Sequence, residues 1–205
     1  VGLGVQGKAT TARLSQLAGL PAESLPTQPG QSLQLEQISF VCVGKQRYEL
    51  WAEAAALKPL LTKLQATAAV MPLQQWLLSD IQAGIPDLQQ ETSEAFIPQM
   101  TNLQEFEGIS FRKGCYTGQE IVARIKYRGK SKKHLALAVS DNSLTIGSSV
   151  ANEEDKTIGE IFDVAQIGTV TVAQLILNVD QSDIKSVVSE GKEMQLIPLP
   201  YVLGN

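Results

Sequence analysis

The chain holds only two cysteines and one histidine. That excludes a four-cysteine iron–sulfur site, or a four-ligand Cys/His zinc site, built from this chain alone. Any cluster would need ligands from elsewhere. Long apolar runs are also missing: no stretch approaches the roughly 20 residues that a membrane-spanning helix requires. Aromatic residues make up 5% of the chain, so each one is a scarce stacking surface. The low cysteine content and the lack of a signal-like segment favour a reducing cytosol. A starting methionine is absent too. Val1 opens the chain and Val1–Val5 already reads as a strand, so an N-terminal piece is expected to be missing.

What is present has the balance of a soluble globular protein of one or two domains: 205 residues, 43% hydrophobic and 19% charged. The net charge of −4 is unevenly spread. Eight of the 17 Lys and Arg residues (Arg112, Lys113, Arg124, Lys126, Arg128, Lys130, Lys132, Lys133) lie between positions 112 and 133 against the single acid Glu120. This segment therefore carries +7 and the remainder −11. Such a run is most often a solvated face. Its alternative is an anion site, attractive to a carboxylate-bearing cofactor or to a phosphate backbone.

Within that segment, Cys115 stands before a marked helix start. Thr117 has the side chain of an N-cap, Glu120 three residues on would close a capping box, and Tyr116 could staple onto Ile121. The helix should run through Val122 and Ile125 to about Tyr127 and stop at Gly129, a residue tolerant of positive φ. A thiol just outside a helix N-terminus, with Arg112 and Lys113 nearby, is favoured as thiolate. Two readings stay open for Cys115: a reactive or ligand-contacting thiol, and a small residue buried in a Gly-flanked turn. Cys42 alternates with Ile38 and Phe40 and reads as part of a half-buried strand.

The first part of the chain alternates strands and helices. A strand at 1–6 leads to a helix over Thr10–Ala18, ended by Gly19. Segments 32–43 and 46–52 read as two strands joined through Val43–Gln46. A helix follows from about Ala52 to Leu64, with Pro59 comfortable only in a first turn. The pattern suggests an α+β domain with helices on one face of an antiparallel, ferredoxin-like sheet. Pro72 opens another helix that runs to Gly84, with Leu73, Trp76, Leu77 and Ile81 as its apolar face; taken alone, Trp76 there reads as core. Residues 89–106 form a long loop-like stretch of the kind that often carries function. Beyond Gly129, short β runs at His134–Val139, Ser149–Asn152, Thr157–Asp163, Val170–Val179 and Met194–Ile197 predict a small barrel or sandwich. The division is thus 1–129 and 130–205. His134, without a second imidazole or a nearby nucleophile, reads as structural or as part of the basic patch.

Lys113–Arg124 (KGCYTGQEIVAR), followed by Tyr127-Arg128-Gly129, resembles the defining motif of the YgfZ family, folate-binding proteins linked to tRNA modification and iron–sulfur enzyme maintenance. The likeness extends upstream through Gln75-Trp76, Ala83-Gly84-Ile85-Pro86, Phe96-Ile97-Pro98-Gln99 and Thr101-Asn102-Leu103, and downstream to Ile197-Pro198-Leu199-Pro200-Tyr201. It covers essentially the whole chain, and the family has roughly a hundred further residues at its N-terminus, in keeping with the expected missing piece. The resemblance implies a three-domain ring like that of the glycine-cleavage T-protein, with tetrahydrofolate bound centrally and a β-barrel last. It implies that Trp76 stacks on or beside the folate rings, that Gln82 replaces a glutamate which relatives often carry there, and that Arg124 and Arg128 suit the anionic glutamate tail. Cys115 matches the motif cysteine, the functional thiol, with Lys113 beside it.

Three functions follow from these features. The first is a tetrahydrofolate-binding factor that supports assembly or repair of iron–sulfur clusters in client enzymes, including those that thiolate tRNA. A second is a tetrahydrofolate-dependent, aminomethyltransferase-like transferase, for which these residues supply no convincing general base. The third is direct tRNA binding through 112–133, where Phe111, Tyr116 and Tyr127 offer a thin stacking platform. A conventional enzyme, a resident metal and a membrane partner are not expected.

Overall fold

Alternating apolar side chains build the first sheet, and the helices beside it bury their stripes on one of its faces. The computed structural model describes residues 1–178 and 184–204, and the chain falls into two compact units, Val1–Met71 and Pro72–Asn205.

In the first unit, strands β1 (Gly2–Gln6), β2 (Ser32–Leu35), β3 (Ile38–Gly44) and β4 (Arg47–Trp51) form an antiparallel sheet in the order β1-β4-β3-β2. Helix α1 (Thr10–Ala18) contributes Leu14, and α2 (Ala54–Gln65) contributes Leu57, Leu60 and Leu64, to one core with Phe40, Cys42, Tyr48 and Leu50. Cys42 is buried there, as its alternation requires. The Tyr48 hydroxyl donates to the Pro26 carbonyl at 2.7 Å, so the buried phenol is satisfied.

Two expectations fail locally. One strand is expected over 32–43; the structure has two, because Glu36 takes φ 49° and turns the chain between Leu35 and Ile38, which pair across a tight hairpin. An unbroken alternation carries no sign of such a turn. Pro59 sits in the second turn of α2, not its first. The N–H it lacks would have reached the carbonyl of Ala55, and both residues are exposed, so water can serve that carbonyl.

In the second unit, α3 (Leu73–Gln82) is followed by a segment with two short 3-10 turns, Pro98–Thr101 and Leu103–Phe106, and then by α4 (Gln119–Arg128). Six strands close a barrel: β5 (Lys133–Ser140), β6 (Ser149–Ala151), β7 (Thr157–Ile167), β8 (Val170–Asn178), β9 (Ser186–Ser189) and β10 (Lys192–Ile197), in the order β10-β5-β8-β7-β6-β9. Ile158, Ile161, Leu175, Val187 and Met194 lie in one buried cluster. At Gly159 an added Cβ would lie 2.2 Å from the Ile176 carbonyl oxygen, so β7 and β8 meet too closely for any side chain there. Strand β9 is not anticipated from sequence, although Glu190-Gly191, both at positive φ (52° and 75°), is the two-residue turn that joins it to β10. The strand expected to reach Val179 is seen to Asn178; Val179 lies outside the described residues.

The segment before α4 packs on the barrel wall. Phe96 and Met100 meet Leu135, Leu137, Phe162 and Ile176, while Leu78 and Ile81 meet Ala165 and Val172. The compact units consequently part at 71/72, where a boundary read from the change of texture falls at 129/130. A composition shift marks where β-structure begins, not which segment buries its apolar face on it. Leu73, expected on the buried stripe of α3, is exposed; Leu78 takes the inward place.

Candidate functional site

Helix α4 starts one residue later than its sequence suggests. Gly118, at φ 84°, is the N-cap, no side chain caps the helix, and the Val122 N–H donates to the Gly118 carbonyl at 3.2 Å. The expected capping box of Thr117 and Glu120 is therefore out of register, and Glu120 lies in the first turn, where its charge still suits the helix dipole. Gly129 ends the helix in extended backbone, at φ −153°, and not in the left-handed conformation. Cys115 lies four positions before α4, exposed and unpaired. In the same loop, the Lys113 ammonium stands over the Tyr116 ring, 4.5 Å from its centroid. Ile121, expected to be stapled beneath Tyr116, is exposed.

The helix is held from beneath. Val122 is its buried residue, and the Gln99 amide nitrogen donates to the Val122 carbonyl at 2.7 Å, inside the helix. Gln99 Oε1 is buried without a partner among the described residues. At the other end of α4, Phe111 meets Tyr127 edge to face at 6.3 Å, and the Lys126 ammonium stands 5.5 Å from the Phe111 ring centroid. Arg124, Lys126 and Arg128 are exposed along α4, with Arg112, Lys130 and Lys132 exposed beside it; Lys133 pairs with Glu160 at 3.5 Å. The positive face is a solvated one. His134 is half-buried, and desolvation lowers its pKa below the ordinary imidazole range, which favours a neutral ring over a member of the basic patch.

The remaining expected residues are on α3: Trp76 half-buried, and Gln82 exposed at the last position. Just past the helix, Gly84 takes φ 66°, and an added Cβ would lie 2.7 Å from the Tyr201 ring. The Tyr201 hydroxyl donates to the Gly84 carbonyl at 3.1 Å and accepts from Asn102 Nδ2 at 3.2 Å. Asn102, fully buried, also donates to the Leu135 carbonyl at 3.0 Å and accepts from the Leu135 N–H at 3.2 Å. One side chain thus pairs with β5 as a strand would. Burial, and less strongly the Glu105 charge, raise the Tyr201 pKa against the opposing Asn102 hydrogen bond, so the phenol stays a donor.

Trp76 and Gln82 are accordingly on α3, Lys113 and Cys115 on the loop, and Arg124 and Arg128 one turn apart on α4. The second unit carries all six. A shallow open cavity of about 420 Å³ lies in the first unit, lined by Gln6, Gly7, Lys8, Lys45, Gln46 and Arg47, and includes none of them. Sequence reasoning missed Asp163 and Gln174, which face α3 from the barrel; a charge or amide inside an apolar strand run is the signal that could have found them. Among the described residues no group of three or more His, Cys, Asp or Glu is placed to hold a metal, and no helix is long and apolar enough to cross a membrane.

No family model matches the chain. It is 37% identical to the tRNA-modifying protein YgfZ of Serratia proteamaculans (strain 568), over an alignment of 218 positions covering 98% of this chain and 63% of the relative. Along nearly its whole length the chain resembles YgfZ. It spans about three-fifths of the length of that YgfZ relative. Its fold is that of the crystal structure of glycine cleavage system aminomethyltransferase T from Bartonella henselae, at a TM-score of 0.71 and 17% identity, covering 98% of this chain and 59% of that one. The antiparallel sheet followed by a closed barrel, expected from the sequence, is therefore both observed and shared with a solved structure. The likeness to YgfZ is one of sequence; the likeness to the aminomethyltransferase is one of fold.

Proposed function

We propose that the protein binds tetrahydrofolate and supports iron–sulfur cluster assembly or repair in client enzymes, and through them tRNA modification. The observation that carries this is the exposed, unpaired Cys115 in the KGCYTGQE loop, on the unit that also holds Trp76. An exposed thiol with a lysine in the same loop is free to meet a partner's cluster or cysteine. The similarity to a protein named for tRNA modification supports the biological direction.

The side chains present fit folate chemically. Trp76 offers an indole for a pterin or benzoyl ring, Gln82 an exposed amide for ring N–H groups, and Arg124 with Arg128 two exposed guanidinium groups for the carboxylates of the glutamate tail. Bound tetrahydrofolate would supply a carrier for one-carbon units. The protein's own part is to bind and orient it.

Calorimetric titration of tetrahydrofolate into the chain and its variants tests this. Trp76→Ala should abolish binding, whereas Cys115→Ala should keep the affinity within a few-fold while losing activity in cells. Loss of folate binding in Cys115→Ala, or unchanged binding in Trp76→Ala, would overturn the division of roles.

A second reading, direct contact with tRNA, is favoured by the exposed cations along α4.

A further inference from the structure

Beneath the end of α3, the outer wall of the barrel carries a buried acid that the proposed function leaves unused. Asp163 and Gln174 stand opposite each other in the β7–β8 ladder, 6% and 0% exposed. The register shift between Ile161 and Asp163 inserts Phe162 into β7, and a bulge of this kind can turn two successive side chains to one face. Phe162 packs with Phe96 and Met100 outside the barrel, and Asp163 meets Gln89 and the charges of Asp80 and Asp87, also outside.

The orientation of the Gln174 amide is forced. Its Nε2 donates to the carbonyls of Ile85 at 2.8 Å and Ile81 at 3.4 Å, acceptors that an oxygen could not serve. Oε1 is left buried with no partner among the described residues. An acceptor so placed is unfavourable unless a donor reaches it, and the residue across the ladder is an acid. Asp163 Oδ1 accepts from the Val164 N–H at 2.8 Å. The charged groups that face Asp163 are Asp80 from α3 and Asp87 from the segment after it, while Gln89 donates a hydrogen bond and β8 presents Gln174 itself.

We infer that Asp163 is a neutral carboxylic acid whose O–H donates to Gln174 Oε1, and that this bond, continued from Gln174 Nε2 to the Ile81 and Ile85 carbonyls, seats the C-terminal end of α3 on the barrel. Asp163 is thereby a positioning residue for the helix that bears Trp76 and Gln82. Burial, first among the causes, raises its pKa above the ordinary aspartate range, and the like charges of Asp87 and Asp80 add to this against its two hydrogen bonds. Ionised, it would set a carboxylate against an amide oxygen, and the chain would part at its first link. A folded-state pKa above the unfolded value makes the contribution full at acid pH, below the ordinary aspartate value, and lost as pH rises through the folded pKa.

The direct test is a carbon-13 titration of the aspartate carboxyls of the unsubstituted chain, with Asp163 assigned through its own backbone. Asp163 should stay protonated after the other aspartates have ionised; titration along with them would overturn the inference. The functional test uses Trp51→Phe, which leaves Trp76 as the one tryptophan, so that its emission reports on the seat of α3. Emission should be steady at acid pH and shift as pH rises. Adding Asp163→Asn, whose amide can donate to the same oxygen, should flatten that profile and raise the melting temperature at pH 8 above that of the parent. A pH profile unchanged by Asp163→Asn would sink the idea.

Discussion

Asn102 shows how much a single polar side chain can organise. It is fully buried, yet both ends of its amide are used: two bonds to the backbone of Leu135 on β5, and one to the Tyr201 hydroxyl, which in turn reaches the Gly84 carbonyl after α3. Asn102→Ala would strip donors and acceptors from a site that water does not reach. The expected cost is about 3 kcal/mol, since each buried group left unpaired costs roughly 1–3 kcal/mol. Denaturant unfolding measures it, and a loss below about 1 kcal/mol would mean that the network is dispensable. At this scale the sequence is partly legible. The Thr101-Asn102-Leu103 and Pro200-Tyr201 segments stand out through family resemblance, but their contact, 99 positions apart in the chain, is a product of folding. Asp163 and Gln174 are quieter still: a polar residue inside an apolar run is their one signal, and an ordinary outward-facing strand position gives the same signal.

Helix α4 is the element on which the candidate site turns. Its sequence reads as a helix with a capping box, and it is a helix, but the start is set by backbone: Gly118 at φ 84°, a conformation that L side chains enter at a cost of roughly 1–2 kcal/mol. Nothing lies within 4 Å of a Cβ added there, so Gly118→Ala should cost about 1 kcal/mol through conformation alone. The Val122 N–H, which closes the first turn, should then exchange with solvent about fivefold faster by hydrogen-exchange NMR. Unchanged exchange would show that tertiary packing of Val122, not the cap, holds the first turn. The C-terminal limits of α1 and α3 are legible because glycines in left-handed backbone follow them, Gly19 at φ 68° and Gly84 at φ 66°. The hairpin turns at Glu36 and at Glu190-Gly191 are harder, since glutamate is an uncommon choice for positive φ.

For the molecule as a whole, charge is the property most visible in sequence. The excess of +7 over 112–133 within a chain of net −4 becomes a largely exposed face along α4 and its flanks. Should that face meet an RNA backbone, binding of labelled tRNA will weaken steeply with salt, and Arg124→Ala with Arg128→Ala will lower the log–log slope by about 2. Salt-independent binding, or a slope that both substitutions leave unchanged, removes the tRNA reading. Sequence alone determined the residues and local periodicities: helices where apolar residues recur at helical spacing, strands where they alternate, and a short motif specific enough to place the chain beside the YgfZ family. Those signals are local, and neighbouring residues suffice to produce them. Only the tertiary structure decided that α3 and the turns after it belong with the barrel, that the ladder closes through an unanticipated β9, and that Asp163 stands opposite Gln174 in the β7–β8 ladder. Each depends on surfaces distant in sequence being buried together, and burial, not local propensity, determines which polar groups must find partners.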